Sequence, residues 1–383
     1  MSRSTRRKAV VLGMAAALTT LVCGCNVAGQ VNAPLTPPPT PGEGSALPAG
    51  TTLSVQGSHL IRLGVPFVPR GVTIVGFEAP YQSLRGTYLD ARDGFGPAEL
   101  TAARGFGADT VRFVVGQRAL TPPYGDGGTQ FRRSLLDAVQ SARSLGFVVI
   151  VALDGSVIGG EPADQPSPTA NTLHTWEQLA PMLSRDQGVA LELYDAPAAR
   201  ASPANWQVWA HGGNVDAGGS PAVGMQQLID GIRHSGSSNV VIADGLDHGH
   251  TLANAPPLDD PTGALVYGVE PYPHAGDGDA SWTSDFGRFA QDHPVLATEW
   301  DAPSVPPPLS SIPQTCDPST PQTAQTLLDY LAVHRIGVVG YAFDLPGTLV
   351  RDLTATQTSY DSLVCGQPGQ GPGQLLSAVF RRG

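Results

Sequence analysis

Pro294-Val295-Leu296-Ala297-Thr298-Glu299-Trp300 is a short apolar run that closes on a carboxylate and an aromatic residue. Its apolar positions are consecutive and do not alternate, which predicts a strand buried on both faces, as parallel strands are. Similar runs recur along the chain. Gly71 to Gly76, Asp109 to Val115, Phe147 to Leu153, Val189 to Tyr194, Val240 to Ala243, Leu265 to Glu270 and Ile336 to Phe343 join Val295 to Glu299 as eight strand candidates. Between them, Phe131 to Leu145, Leu173 to Leu183, Val223 to Arg233 and Thr323 to His334 carry apolar residues at three- and four-residue spacing, the mark of amphipathic helices. Eight such strands alternating with helices predict an α/β fold, a (β/α)8 barrel. The rival is an open doubly wound sheet, but no G-x-G-x-x-G follows the first strand. Ahead of the barrel, Leu53 to Val68 alternates around Gly57 and Gly64 and predicts small β-hairpins capping its bottom.

The segments outside the barrel read differently. Residues 1–24 place Arg3, Arg6, Arg7 and Lys8 before an apolar stretch from Ala9 to Val22, the pattern of an export signal. Val22-Cys23-Gly24-Cys25 resembles a bacterial lipobox, with Cys25 as the lipid-bearing residue; a plain secretory signal is the alternative. Residues 25–50 contain six prolines between Val31 and Gly50 and predict an extended spacer, leaving 51–383 for the barrel. No later stretch is long and apolar enough to span a bilayer. Membrane attachment is therefore expected through lipid on Cys25, at the outer face of the cytoplasmic membrane. The remaining thiols, Cys316 and Cys365, form an even pair in an exported chain and are expected to be bridged, which would contribute about 2 to 4 kcal/mol.

Twenty-two basic against thirty-three acidic residues give a net charge of −11, and the mature chain, without the four leader cations, stands at −15. That balance excludes nucleic acid as an expected partner. No cofactor or metal is implied. Asp247-His248-Gly249-His250 has metal-like residue types, but it sits in a glycine-rich loop with no matching third ligand and reads as a solvated or substrate-facing segment. Trp206 and Trp209, three residues apart, read as one helix face packed on the barrel.

Barrel enzymes carry their functional groups at the C-terminal ends of the strands. Here those ends offer Arg112, Asp154, Asp195, Asp244, Glu270 with Tyr272, Glu299 with Trp300, and Tyr341 with Phe343. Carboxylates and aromatics dominate, the groups that cleave glycosidic bonds and stack on sugar rings. With these residues the chain resembles the cellulase-like glycoside hydrolase family 5, a (β/α)8 family of retaining enzymes. Val68-Pro69-Arg70-Gly71-Val72 matches its opening strand, Thr110-Val111-Arg112-Phe113 its strand-two arginine, and Trp176 the tryptophan before strand four. Glu270-Pro271-Tyr272 stands where the family has His-x-Tyr, and Glu299 where it has the nucleophile. Tyr341 and Phe343 are the nearest equivalents of its strand-eight platform.

Strand four departs from the pattern. The family reads Asn-Glu-Pro and this chain reads Asp195-Ala196-Pro197, so an alanine occupies the acid/base position. The resemblance implies a monomeric hydrolase of a β-linked polysaccharide or oligosaccharide, with Glu299 as nucleophile and Glu270 or Asp195 as substitute acid. Arg112, Asp154, Tyr272, Trp300, Tyr341 and Phe343 would be its substrate-binding residues. The alternative is a carbohydrate-binding relative that has lost turnover. Those two readings differ at one position.

Overall fold

The computed structural model describes residues 52–77, 96–120, 129–155, 167–214, 221–274, 276–302, 320–345, 348–351, 363–364, 367–368 and 371–382. The proposed signal, the spacer and the cysteines Cys25, Cys316 and Cys365 lie outside these residues. Leu47–Gly383 forms one compact unit.

Three short strands, β1 (Leu53–Gln56), β2 (His59–Arg62) and β3 (Val65–Pro66), make an antiparallel meander. Eight parallel strands follow: β4 (Arg70–Phe77), β5 (Thr110–Gly116), β6 (Val148–Asp154), β7 (Val189–Glu192), β8 (Val241–Asp244), β9 (Leu265–Val269), β10 (Val295–Trp300) and β11 (Gly337–Gly340). They close in sequence order, β11 pairing with β4, into a barrel. The helices are α1 (Pro97–Phe106), α2 (Thr129–Ser144), α3 (Ala170–Leu183), α4 (Pro203–His211), α5 (Met225–His234), the single turn α6 (Asp279–Trp282), α7 (Thr320–Val333) and α8 (Pro372–Phe380). This is the (β/α)8 barrel with a hairpin cap that the strand periodicity predicts.

Strand alternation sorts the apolar residues into two layers. Val148, Ile150, Ala190, Val240, Ile242, Val266, Leu296 and Val339 fill the barrel interior, closed from below by Leu53, Val55, Leu60 and Phe67 of the meander. Val111, Phe113, Val149, Val151, Leu191, Ala243 and Val269 point outward to the helices. Trp206 and Trp209 of α4 lie in that outer layer, edge to face at 5.1 Å.

Side chains from the outer layer also satisfy the backbone where the ladder stops. Trp176 Nε1 donates to the carbonyl of Leu193 at 2.9 Å, and Trp209 Nε1 to that of Asp244 at 2.7 Å. Beyond β11, the Asp344 carboxylate accepts from the amides of Val75 and Gly76 at 2.9 and 2.8 Å, pinning the last strand to the first. Burial raises the Asp344 pKa to about 7 against those two bonds.

Candidate active site

Arg112 organises the barrel mouth. It lies on β5 between the outward-facing Val111 and Phe113, so its side chain enters the barrel, where it has no exposure to solvent. Nε donates to Glu192 Oε2 at 2.9 Å and Nη2 to Glu192 Oε1 at 2.5 Å, a bidentate pair with the last residue of β7. Nη2 also reaches Asp195 Oδ1 at 2.5 Å, and Nη1 reaches Glu299 Oε2 at 2.8 Å. Glu270 Oε1 stands 3.8 Å from the same Nη2. Burial alone would depress the guanidinium; Asp195, Glu192 and Glu299 outweigh it and hold its pKa well above the ordinary value.

Glu299 has a second donor. Tyr272 Oη bonds Glu299 Oε1, so each carboxylate oxygen meets one partner, the phenol on one side and the guanidinium on the other. Burial still dominates and raises the Glu299 pKa to about 7; Arg112 opposes the rise and the charge of Asp195 adds to it. Tyr272 is pushed well above the usual phenol range by burial and by the charges of Glu299 and Glu270, so it remains the donor at every working pH.

Below Glu299 the site is crowded with acid. Glu192, Asp195, Asp244 and Glu270 place carboxylate oxygens within 4.8 Å of one another. Asp244 Oδ2 and Glu270 Oε1 are buried without a hydrogen-bond donor. A divalent cation could use these oxygens, but Arg112 Nη2 already bonds two of the four acids and would repel it. Protons fit better. Burial, then the charge of Glu192, raises Asp244 well above the carboxylate range and poises it to donate to Glu192. Burial, then the charges of Glu299 and Asp195, does the same to Glu270, which turns toward Asp195. The cluster gathers five carboxyl groups around one guanidinium, and burial is the largest cause that raises Glu192, Asp244, Glu270 and Glu299 above the ordinary carboxylate range.

The backbone makes room for this arrangement. A Cβ at Gly268 would lie 1.5 Å from Asp244 Oδ1, so only glycine fits there. Glu270 is walled by the loop Asp247-His248-Gly249, all three at positive φ. Its amide donates to the Gly249 carbonyl at 2.8 Å, and a Cβ on Gly249 would press to 2.8 Å of Glu270 Cγ. His250 of the same loop lies 3.6 Å from Asp285 Oδ2, where the partly exposed pair belongs to the rim.

Most sequence-predicted site residues converge: Arg112, Asp195, Glu270, Tyr272 and Glu299 share the network, and half-buried Tyr341 follows β11 at the same end of the barrel. Asp154 ends β6, nearly buried. Trp300 and Phe343 do not line the cleft. Both are wholly buried in the outer layer, Phe343 edge to face with Phe106 at 5.4 Å. Sequence reasoning missed Glu192, although a lone glutamate inside the apolar run Val189 to Leu193 was a signal that a buried cation awaited it. Ala196 adopts the left-handed region, φ 48°, at a cost of about 1 to 2 kcal/mol.

The chain matches the family model for cellulase, glycosyl hydrolase family 5, over residues 97–344, well over half its length. It belongs to that family. Solved structures share the fold. The catalytic domain of a Thermobifida fusca endoglucanase, in complex with cellotetraose, is 17% identical, with TM-score 0.59 over 86% of this chain and 97% of that one. A β-glucanase from Saccharophagus degradans, also with cellotetraose, is 17% identical at TM-score 0.61, covering 91% and 98%. An endocellulase from Pyrococcus horikoshii in complex with cellotetraose is 17% identical at 0.59, covering 82% and 96%. No curated protein matches the chain in sequence. Family membership places the chain among glycosyl hydrolases of β-linked polysaccharides.

Proposed function

We propose that the protein is a retaining-type glycoside hydrolase of a β-linked glucan or related polymer, with Glu299 as nucleophile and without the usual acid. The observation that carries this reading is the grip of Arg112 and Tyr272 on Glu299 at the end of β10. Both bonds orient one carboxylate, and the cellotetraose complexes of the structural neighbours favour a glucan. In the first step Glu299 attacks the anomeric carbon as the bond to the leaving oxygen breaks; water then hydrolyses the glycosyl ester. With Ala196 at the acid position, the leaving oxygen departs without a positioned proton, a loss of about 10² to 10⁴ in rate for a sugar leaving group.

Of the two substitute acids, Glu270 is the poorer. It is 4% exposed and Oε1 is occluded, so its proton serves Asp195 and not a glycosidic oxygen. Asp195 has the more accessible side chain, 11% exposed against 4%, and its Oδ1 is held by Arg112 Nη2. Ala196 equally favours a second reading, a carbohydrate-binding protein that keeps the cleft and has lost turnover. Screening the domain against β-linked polysaccharides and activated aryl β-glycosides separates them: binding with aryl-glycoside cleavage supports the hydrolase, and binding with no cleavage of either supports the second reading.

From sequence alone we further propose export as a lipoprotein carried by Cys25, with Cys316 bridged to Cys365 and the protein monomeric. Lipid labelling lost in Cys25→Ser, and linked peptides in non-reducing mass spectrometry, test the first two; two free thiols or unchanged labelling would refute them.

A further inference from the structure

The large apolar side chains most exposed among the described residues are Leu63, Val65, Leu145, Met182 and Val333. They come from distant parts of the chain, yet all lie at one end of the barrel. Leu63 and Val65 form the β2–β3 turn, Leu145 links α2 to β6, Met182 is in the last turn of α3, and Val333 closes α7. This is the end where helices stop and strands begin, opposite Glu299. Scattered single apolar residues need no explanation, but their collection on one face does. Leu63 is 64% exposed and Val333 79%, so neither is covered by the fold.

The same face is basic in a chain of net charge −11. Exposed Arg104, Arg185, Arg335, Arg381 and Arg382 lie at helix C-termini or in the loops after them. Asp109, Asp186 and Asp260 at this end are taken up by Arg70, Arg143 and Arg233. Its exposed acids are Asp259 and Asp292 in the loops before β9 and β10, with Asp230 and Asp329 about one turn from the ends of α5 and α7. The opposite end holds the carboxyl cluster of the cleft. Arginine at helix C-termini complements the helix dipoles, which accounts for the sign of the charges and not for the apolar side chains among them.

We propose that this basic, apolar-studded end of the barrel rests on an anionic lipid surface, with Leu63 and Val65 entering the headgroup layer and the arginines facing lipid phosphates. An anionic polymer would satisfy the arginines but leaves Leu63 and Val65 without a role; a lipid interface uses both. The cleft then opens away from the surface, toward a polymer outside it. This inference is independent of whether the cleft cleaves or only binds sugar.

The test uses the compact unit from residue 47 onward, free of any lipid anchor, in co-sedimentation with vesicles. Vesicles of phosphatidylcholine with about one-third phosphatidylglycerol should bind about ten-fold more protein than phosphatidylcholine alone at low ionic strength, with the difference lost in high salt. Leu63→Asp with Val65→Asp, and separately Arg185→Glu with Arg382→Glu, should each cut binding several-fold while leaving the melting temperature unchanged. Leu63→Trp adds a direct reading of depth, because the five native tryptophans are all buried and supply a constant background. Its emission should shift to the blue on anionic vesicles. Equal binding to neutral and anionic vesicles, binding indifferent to the Leu63 and Val65 changes, no blue shift, or retention by polyphosphate but not by vesicles would each overturn the proposal.

Discussion

Replacing Arg112 with Met removes the guanidinium at the floor of the cleft while keeping much of its volume. The guanidinium makes two bonds to Glu192, one to Asp195 and one to Glu299, all in a region closed to solvent. Breaking a buried pair by deleting one partner typically costs about 3 to 5 kcal/mol. The abandoned carboxylates can instead take up protons, which limits the loss and makes it depend on pH. In the intact protein the folded Glu299 keeps its proton to about pH 7, whereas an unfolded glutamate releases it near 4.5. Without Arg112 the folded pKa rises further, so the stability deficit is small at acid pH and grows as pH rises. Urea unfolding should show a loss of about 3 to 5 kcal/mol at pH 8 and about 1 to 2 kcal/mol at pH 5. A loss under about 1 kcal/mol at pH 8, or one that does not shrink at pH 5, would refute the view that Arg112 is the counter-charge of this network.

Other consequences follow from the same site. Ala196→Glu should raise polymer hydrolysis by up to about 10² to 10⁴ while changing aryl-glycoside hydrolysis little; reducing-end assays compare the two, and no gain with an intact fold would argue against acid loss as the limiting defect. Cleavage of an activated aryl glycoside should rise with pH through about 7 as Glu299 ionises, and Glu299→Gln should abolish it; a rate already flat between pH 5 and 8 would contradict the raised pKa. Because Glu299 and Asp344 both hold protons to about pH 7 when folded, their stabilising contribution is full below the unfolded pKa and lost as pH rises through 7, so the melting temperature should be higher at pH 5 than at pH 8. Glu270→Gln mimics the neutral acid and should cost less than about 1 kcal/mol with little change in rate, whereas a large fall in polymer cleavage would make Glu270 the relocated acid.

The barrel was legible because each of its strands is buried on both faces and therefore leaves an unbroken apolar run, as Phe147 to Leu153 does for β6. Helices α2, α3, α5 and α7 were visible through their apolar stripes. The ends of strands were not. Val189 to Tyr194 reads as one strand, but the ladder of β7 stops at Glu192, and the chain beyond it turns Asp195 toward Arg112. Trp300 and Phe343 looked like substrate-binding residues because aromatic type and strand-end position were all the sequence displayed. Which face each side chain takes depends on local register, and the β10–β11 ladder shifts between Ala297 and Trp300, so that Glu299 faces the cleft while Trp300 packs against the helices. Glu192 was hidden for another reason: its partner lies eighty residues away in sequence, and a carboxylate in an apolar run has no meaning until that partner is found.

The most direct measurement is to trap the glycosyl–enzyme ester. An activated 2-deoxy-2-fluoro β-glycoside has a leaving group that needs no proton, and its fluorine slows hydrolysis of the ester, so the missing acid does not prevent the first step. Intact-mass and peptide analysis should find one sugar on the chain, attached at Glu299, and none on Glu299→Gln. A chain that binds the corresponding sugar yet stays unlabelled, or carries the label on another residue, would contradict Glu299 as the nucleophile of this site.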